Sequence, residues 1–157
     1  MKEKKRVEVT REVTREVSAG AIIFYLEKGK IFYLILYRAP HDSFSANYGF
    51  VQGNVEQGEE AQDTVLREAK EEAGLDIKLI PNFKEKIHYF YRRDNKTISK
   101  EVVFFLAEAK TNKVKLSEEH DGYFWLTYDE ALKKLKFKNQ RAILAKANEF
   151  ITKAANC

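Results

Sequence analysis

Glu68, Glu71 and Glu72 are the residues of this chain best placed to do chemistry. At about 100° of turn per helical residue, Glu71 stands roughly 60° to one side of Glu68 and Glu72 roughly 40° to the other. Their carboxylates therefore share one patch of one helix. Val65, Leu66, Ala69 and Ala73 flank that patch. The helix is expected to bury Leu66 and Ala69 and to hold the acids over a cleft. Like charges at these spacings destabilise a helix unless something neutralises them. A hard divalent cation does so. Magnesium suits a site where waters and a substrate phosphate complete its shell. Taken alone, the cluster is more simply read as a solvated charged face.

The flanking residues change that balance. Gly53–Leu75 reads GNVEQGEEAQDTVLREAKEEAGL. Gly53 is followed by five residues, Glu59, seven residues, Arg67-Glu68-Ala69, one residue, Glu71-Glu72, one residue and Gly74-Leu75. This spacing meets every fixed position of the Nudix box, and the chain in this respect resembles the Nudix family. The resemblance implies hydrolysis of a nucleoside diphosphate linked to another group. It also implies magnesium or manganese held by Glu68, Glu71, Glu72 and the Gly53 carbonyl. The residue types fit physically. Gly53 is expected to permit a turn that a side chain would block. Gly74 stands where a helix C-terminal glycine belongs. Arg67 is expected to pair with Glu59 and fix the strand-to-helix turn.

Several elements must position this segment. Val7, Val9, Val13 and Val17 alternate with polar residues, which predicts a long, half-buried first strand. Apolar strands follow at Ala21–Leu26 and Ile31–Tyr37, with a hairpin turn at Lys28-Gly29-Lys30. Ala39–Asn47 reads as a loop and Tyr48–Val51 as a short strand. The box helix is expected from about Gly58 to Ala73. Strands are predicted at Ile77–Pro81, Phe83–Tyr91 and Glu101–Glu108, with Arg92–Ser99 a polar connection, and a last strand at Gly122–Leu126. Thr127 and Glu130 form a capping box that starts a helix to about Leu135. Asn139–Lys153 is amphipathic, with Ile143, Leu144, Ala147 and Ile151 at helical spacing. Strands with interposed helices give an α/β chain with a mixed sheet covered on both faces. This agrees with the α/β/α sandwich that the resemblance implies.

A length of 157 residues suits a single domain, 1–157, with residues 1–17 as an N-terminal strand extension. That extension is expected to cover a sheet edge or to make a dimer contact. A composition 44% hydrophobic and 33% charged places the chain among globular proteins. No apolar run approaches the roughly 18 residues that a membrane span needs, and the N-terminus lacks the apolar core of a signal peptide. The single cysteine, Cys157, excludes an internal disulfide, and cytoplasmic residence is the expectation. The formal net charge is +4 although the Glu56–Glu72 segment is strongly acidic, so basic residues are in excess elsewhere. A polyphosphate substrate suits that division.

Beyond the box, four stretches resemble asymmetric diadenosine tetraphosphate hydrolases of the same family. They are Tyr48–Glu56, Phe83–Tyr91, the lysine-led Lys100–Glu108 and Ser117–Leu126 with its Glu-His pair and Trp-Leu. Asn47-Tyr48 departs from the His-Trp of animal members, so a histidine contact to the polyphosphate does not carry over. On residue type alone, Tyr89 is a core aromatic, Lys100 equally a phosphate contact or a solvated strand end, and Glu119 a surface glutamate. The resemblance turns Tyr89 into a base-stacking residue. Tyr123, Phe137 and Tyr48 are further candidate substrate contacts, Phe137 because an aromatic in the connection between the last two helices is less easily explained as core. The resemblance also turns Lys100 into a phosphate contact, and Glu119 into a metal ligand or base facing Glu68, Glu71 and Glu72. His41 and His120 have no zinc-site spacing and read as structural or surface residues. Dinucleoside polyphosphates are the expected substrates. The 5′ end of RNA and nucleoside triphosphates are the alternatives within the family. A nucleotide-sensing module without catalysis is disfavoured, because binding alone does not need the full carboxylate set.

Overall fold

In the computed structural model, which describes residues 13–155, strand β1 runs unbroken over Val13–Glu27. Where the patterning predicts a break between Val17 and Ala21, three small residues carry the strand through a crowded sheet centre. Ser18 and Ala19 are fully buried. A Cβ on Gly20 would lie 2.7 Å from the Phe104 ring and 2.8 Å from the Val51 carbonyl oxygen. Glycine here marks close approach and not a turn. Residues 13–17 are therefore part of the central strand and not a separate extension. Val7, Val9 and Cys157 lie outside the described residues. The facing is also reversed: Val13 and Val17 are 49% and 43% exposed, whereas the Glu16 side chain is turned inward at 17%.

Seven strands among the described residues form one mixed sheet. They are β1, β2 (Lys30–Arg38), β3 (Asn47–Gly49), β4 (Val51–Asn54), β5 (Ile77–Arg93), β6 (Lys96–Ala109) and β7 (Gly122–Leu126). β1 and β6 are parallel, and every other pairing is antiparallel. β1 and β2 pair only near their hairpin, Phe24–Glu27 against Lys30–Tyr33. Beyond it they separate, and residues 47–54 pair with both, β3 with β2 and β4 with β1. That wedge sets Gly53 opposite Ala19. The hairpin turn has left-handed Lys28 and Gly29, as a two-residue turn requires. Asp94 and Asn95 do the same between β5 and β6. The connection predicted at Arg92–Ser99 thus shrinks to two residues, and the strands run on to Arg93 and from Lys96. Pro81 likewise does not end a strand. Left-handed Asn82 and a register shift between Leu79 and Lys84 absorb it as a bulge within β5.

Helix α1 (Ala61–Ala73) packs Val65, Ala69 and Ala73 on one sheet face, against Ala19, Leu36, Val51 and Phe105. Helices α2 (Tyr128–Lys134) and α3 (Lys138–Ala155) cover the other with Ala131, Ile143, Leu144 and Ala147, against Ile22, Ile35, Phe104 and Leu106. The result is the expected α/β/α sandwich. Helix α1 begins later than Gly58 because Glu60 caps it, with Asp63 completing a capping box. It ends at left-handed Gly74, whose N–H donates to the Lys70 carbonyl. Leu66 was expected inside but is 43% exposed; the helix buries Thr64 and Glu72 in its place.

Candidate active site

The turn from β4 into α1 is braced by Arg67, whose strongest partner is Glu59. Arg67 Nε donates to Glu59 Oε2 at 2.7 Å and its Nη2 to Glu59 Oε1 at 3.0 Å, a two-point contact. Glu59 also accepts from the Glu56 backbone N–H and from the Thr64 hydroxyl. The Arg67 guanidinium, the Glu56 N–H and the Thr64 hydroxyl hold the Glu59 carboxyl at about 2. Arg67 Nη2 reaches the Asn54 carbonyl, and Nη1 donates to Glu68 and Glu71. One arginine therefore ties the end of β4, the loop and the acid face of the helix together.

Gly53 lies in extended β4 and makes no turn, contrary to expectation. Its missing side chain has a different reason: a Cβ there would collide with the Glu68 carboxylate. Glu68 thus rests directly on the β4 backbone. Glu72 is buried at 8% exposure, and its Oε1 has no hydrogen-bond donor. Burial, then the neighbouring Glu68 and Glu119 carboxylates, pushes Glu72 up to about 8. Burial also raises Glu68. Glu71 is exposed and drawn 3.2 Å from Arg67. These carboxylates line one cleft with Gln52, Gly53, Ser117, Glu119 and Lys100. An all-oxygen donor set with an unpartnered buried oxygen fits a hard divalent cation. The fit is one of donor chemistry and position. Among the described residues, no three acidic, imidazole or thiol side chains already stand close enough to enclose an ion.

Lys100 brings a cation into this acidic cleft. Burial lowers its pKa, and Nζ lies 3.9 Å from Glu16. Beside the cleft opens a cavity of about 860 Å³. Gln52, Glu72 and Glu119 line both spaces. Tyr89 and Phe137 face the cavity, Tyr89 from β5 and Phe137 from the α2–α3 connection. Tyr48 and Tyr123 line neither space. Tyr48 packs on Tyr37 and Phe124, with the Lys134 ammonium over its ring. Tyr123 is 39% exposed on β7. Three cavity residues are not legible from spacing. His120 faces it with Nδ1 unpartnered, and burial lowers its pKa. Gln140 presents a buried, unpartnered Oε1, and Gln52 stands at the junction. They come from β4, the segment before β7 and helix α3, which local sequence does not connect.

The NUDIX domain pattern matches residues 14–147. Over 109 residues the chain is 38% identical to the asymmetrical bis(5′-nucleosyl)-tetraphosphatase of Sus scrofa, spanning 66% of this chain and 71% of that protein. It is 31% identical over 120 residues to the NAD-capped RNA hydrolase NudC of Mannheimia succiniciproducens, spanning 74% of this chain and 42% of that protein. Its fold matches the crystal structure of a C. elegans Ap4A hydrolase binary complex with a TM-score of 0.75 and 26% identity, over 87% of this chain and 98% of that one.

Proposed function

The chain belongs to the Nudix hydrolase family, and on that premise we propose that it is a metal-dependent, cytoplasmic enzyme that splits diadenosine tetraphosphate into ATP and AMP. One observation carries the reading. The carboxylate cleft and the aromatic cavity meet at Gln52, Glu72 and Glu119, so a nucleoside in the cavity delivers its phosphates to the carboxylates. Tyr89 and Phe137 stack on one adenine, at roughly 1–3 kcal/mol per stacked base. Lys100 neutralises the phosphate chain as it enters the cleft. Glu68, Glu71, Glu72, the Gly53 carbonyl and Glu119 would hold magnesium or manganese, which would supply Lewis acidity toward the phosphates and a more acidic water. Glu59 and Arg67 fix the helix that carries the glutamates. Water attacks one phosphorus, a new P–O bond forms, and the anhydride P–O bond breaks toward ATP. The water's proton passes to a carboxylate, that of a box glutamate or of Glu119.

The second reading is hydrolysis at the 5′ end of RNA, favoured by the likeness to NudC and by Arg38 and Lys138 at the cavity wall. A substrate panel separates the two. Diadenosine tetraphosphate, ADP-ribose, triphosphorylated RNA, NAD-capped RNA and nucleoside triphosphates are incubated with magnesium, with and without EDTA, and products are identified. Fastest turnover of diadenosine tetraphosphate, abolished by EDTA, is expected. Fastest turnover of either RNA would replace this reading with the second.

A further inference from the structure

Glu16 was expected on the polar, solvent-facing side of the first strand. The fold turns it inward instead, into a row across three strands. Glu16 on β1 pairs in register with Lys100 on β6, and Lys100 pairs with Tyr89 on β5. Cross-strand partners share a sheet face. The row therefore runs carboxylate, ammonium, phenol, with Lys100 in the middle. Tyr89 and Lys100 differ in what they meet. Tyr89 faces the aromatic cavity, while Lys100 faces the carboxylate cleft. Lys100 is thus a cation of the carboxylate cleft whose in-register neighbour faces the aromatic cavity.

Glu16 is also held by two residues of β5. The Tyr91 hydroxyl donates to its Oε1 at 2.8 Å, and Arg93 Nη2 donates to its Oε2 at 2.6 Å. The Arg93 guanidinium in turn lies 5.7 Å from the centre of the Tyr91 ring. The carboxylate is thereby fixed in orientation by two donors, and it presents Oε1 to Lys100 at 3.9 Å. That separation orients an ammonium without consuming its hydrogen bonds, which stay free for an anion. A lysine is a point charge on a flexible stem. Without an anchor it has no reason to keep one place in the cleft and not swing onto the carboxylates of Glu68, Glu71, Glu72 or Glu119.

We propose that Glu16 is a positioning residue of the phosphate-binding wall, acting through Lys100 and itself locked by Tyr91 and Arg93. This rests on the reading of Lys100 as a phosphate contact. The test is a double-mutant cycle on kcat/KM with Glu16→Gln, Lys100→Met and the double variant, and with melting temperatures recorded for each. Glu16→Gln is expected to lose about tenfold, and the double variant to lose no more than Lys100→Met alone. A structural role gives losses that multiply instead, and that result overturns the proposal. If Glu16→Gln does not fold, Tyr91→Phe replaces it in the cycle, since it removes only the hydroxyl that orients the carboxylate. The same non-additivity is expected, and multiplying losses are again fatal. Calorimetric binding of tripolyphosphate to the same variants reads the coupling without turnover. Coupling in that binding, with diadenosine tetraphosphate left uncut, would refute the substrate assignment and leave Glu16 in its role.

Discussion

At the scale of single residues, Glu72 carries the sharpest electrostatic conflict in the cleft. Its carboxyl is buried beside Glu68 and Glu119 and titrates at about 8. Because the folded pKa exceeds the ordinary carboxylate value, the folded metal-free protein binds more protons than the unfolded one between about pH 4.5 and 8. Stability from this group is present below that window and lost as pH rises through it. Glu72→Gln removes the charge and keeps the shape. It is expected to abolish turnover and yet to raise the melting temperature of the metal-free protein at pH 8 by several degrees, with little change at pH 4.5. Equal melting curves at both pH values would contradict the burial of that carboxylate. Gly53 gives the complementary case. Gly53→Ala sets a methyl group against the Glu68 carboxylate. Displacing a positioned group by about 1 Å costs up to about 10²-fold. The expected result is a fall in kcat/KM of about that size with a weaker magnesium dependence. Unchanged kinetics would mean that Glu68 does not need its place on β4.

At the scale of elements, the unbroken β1 is what holds the two halves of the site together. It pairs with β4, which carries Gly53, and with β6, which carries Lys100. Gly20 lies where these pairings are most crowded. Gly20→Ala should destabilise the protein by about 1–3 kcal/mol, because the new methyl meets the Phe104 ring and the Val51 carbonyl. A urea midpoint equal to wild type would show that the sheet centre has room to spare. The same residue shows why the strand was not legible. A Ser-Ala-Gly run has the composition of a break, and only the tertiary crowding makes smallness a requirement. Asp94-Asn95 and Pro81 misled for related reasons, since a two-residue turn and a bulge absorb what local patterning reads as a long connection and a strand end. Helix α1 and its C-terminal cap at Gly74 were legible because their determinants lie within one helix length, whereas the Glu60–Asp63 cap that delays its start was not. Leu66 was not, since helical spacing cannot say which flank of the acid patch meets the sheet.

At the scale of the whole molecule, an acidic cleft opens into an aromatic cavity on a chain of formal net charge +4. The cleft could be read from one 23-residue spacing pattern, Gly53–Leu75. The cavity could not, because its walls come from residues between Leu36 and Ala142 that only the sheet topology gathers. Tyr89 is legible by resemblance and Phe137 from its place between the last two helices, and both face it; Gln140 carries no local signal, and Gln52 and His120 lie in resembling stretches that assign them no role. The arrangement has one consequence for the whole substrate. A nucleoside held in the cavity and a phosphate chain held at Lys100 leave the anhydride in a single register over the carboxylates. Cleavage of diadenosine tetraphosphate in oxygen-18 water, followed by mass spectrometry of the products, tests this most directly. Label in one product only, with ATP and AMP in equal amounts and no ADP, is the predicted result. Two ADP as the main product, or label divided between both products, would contradict it.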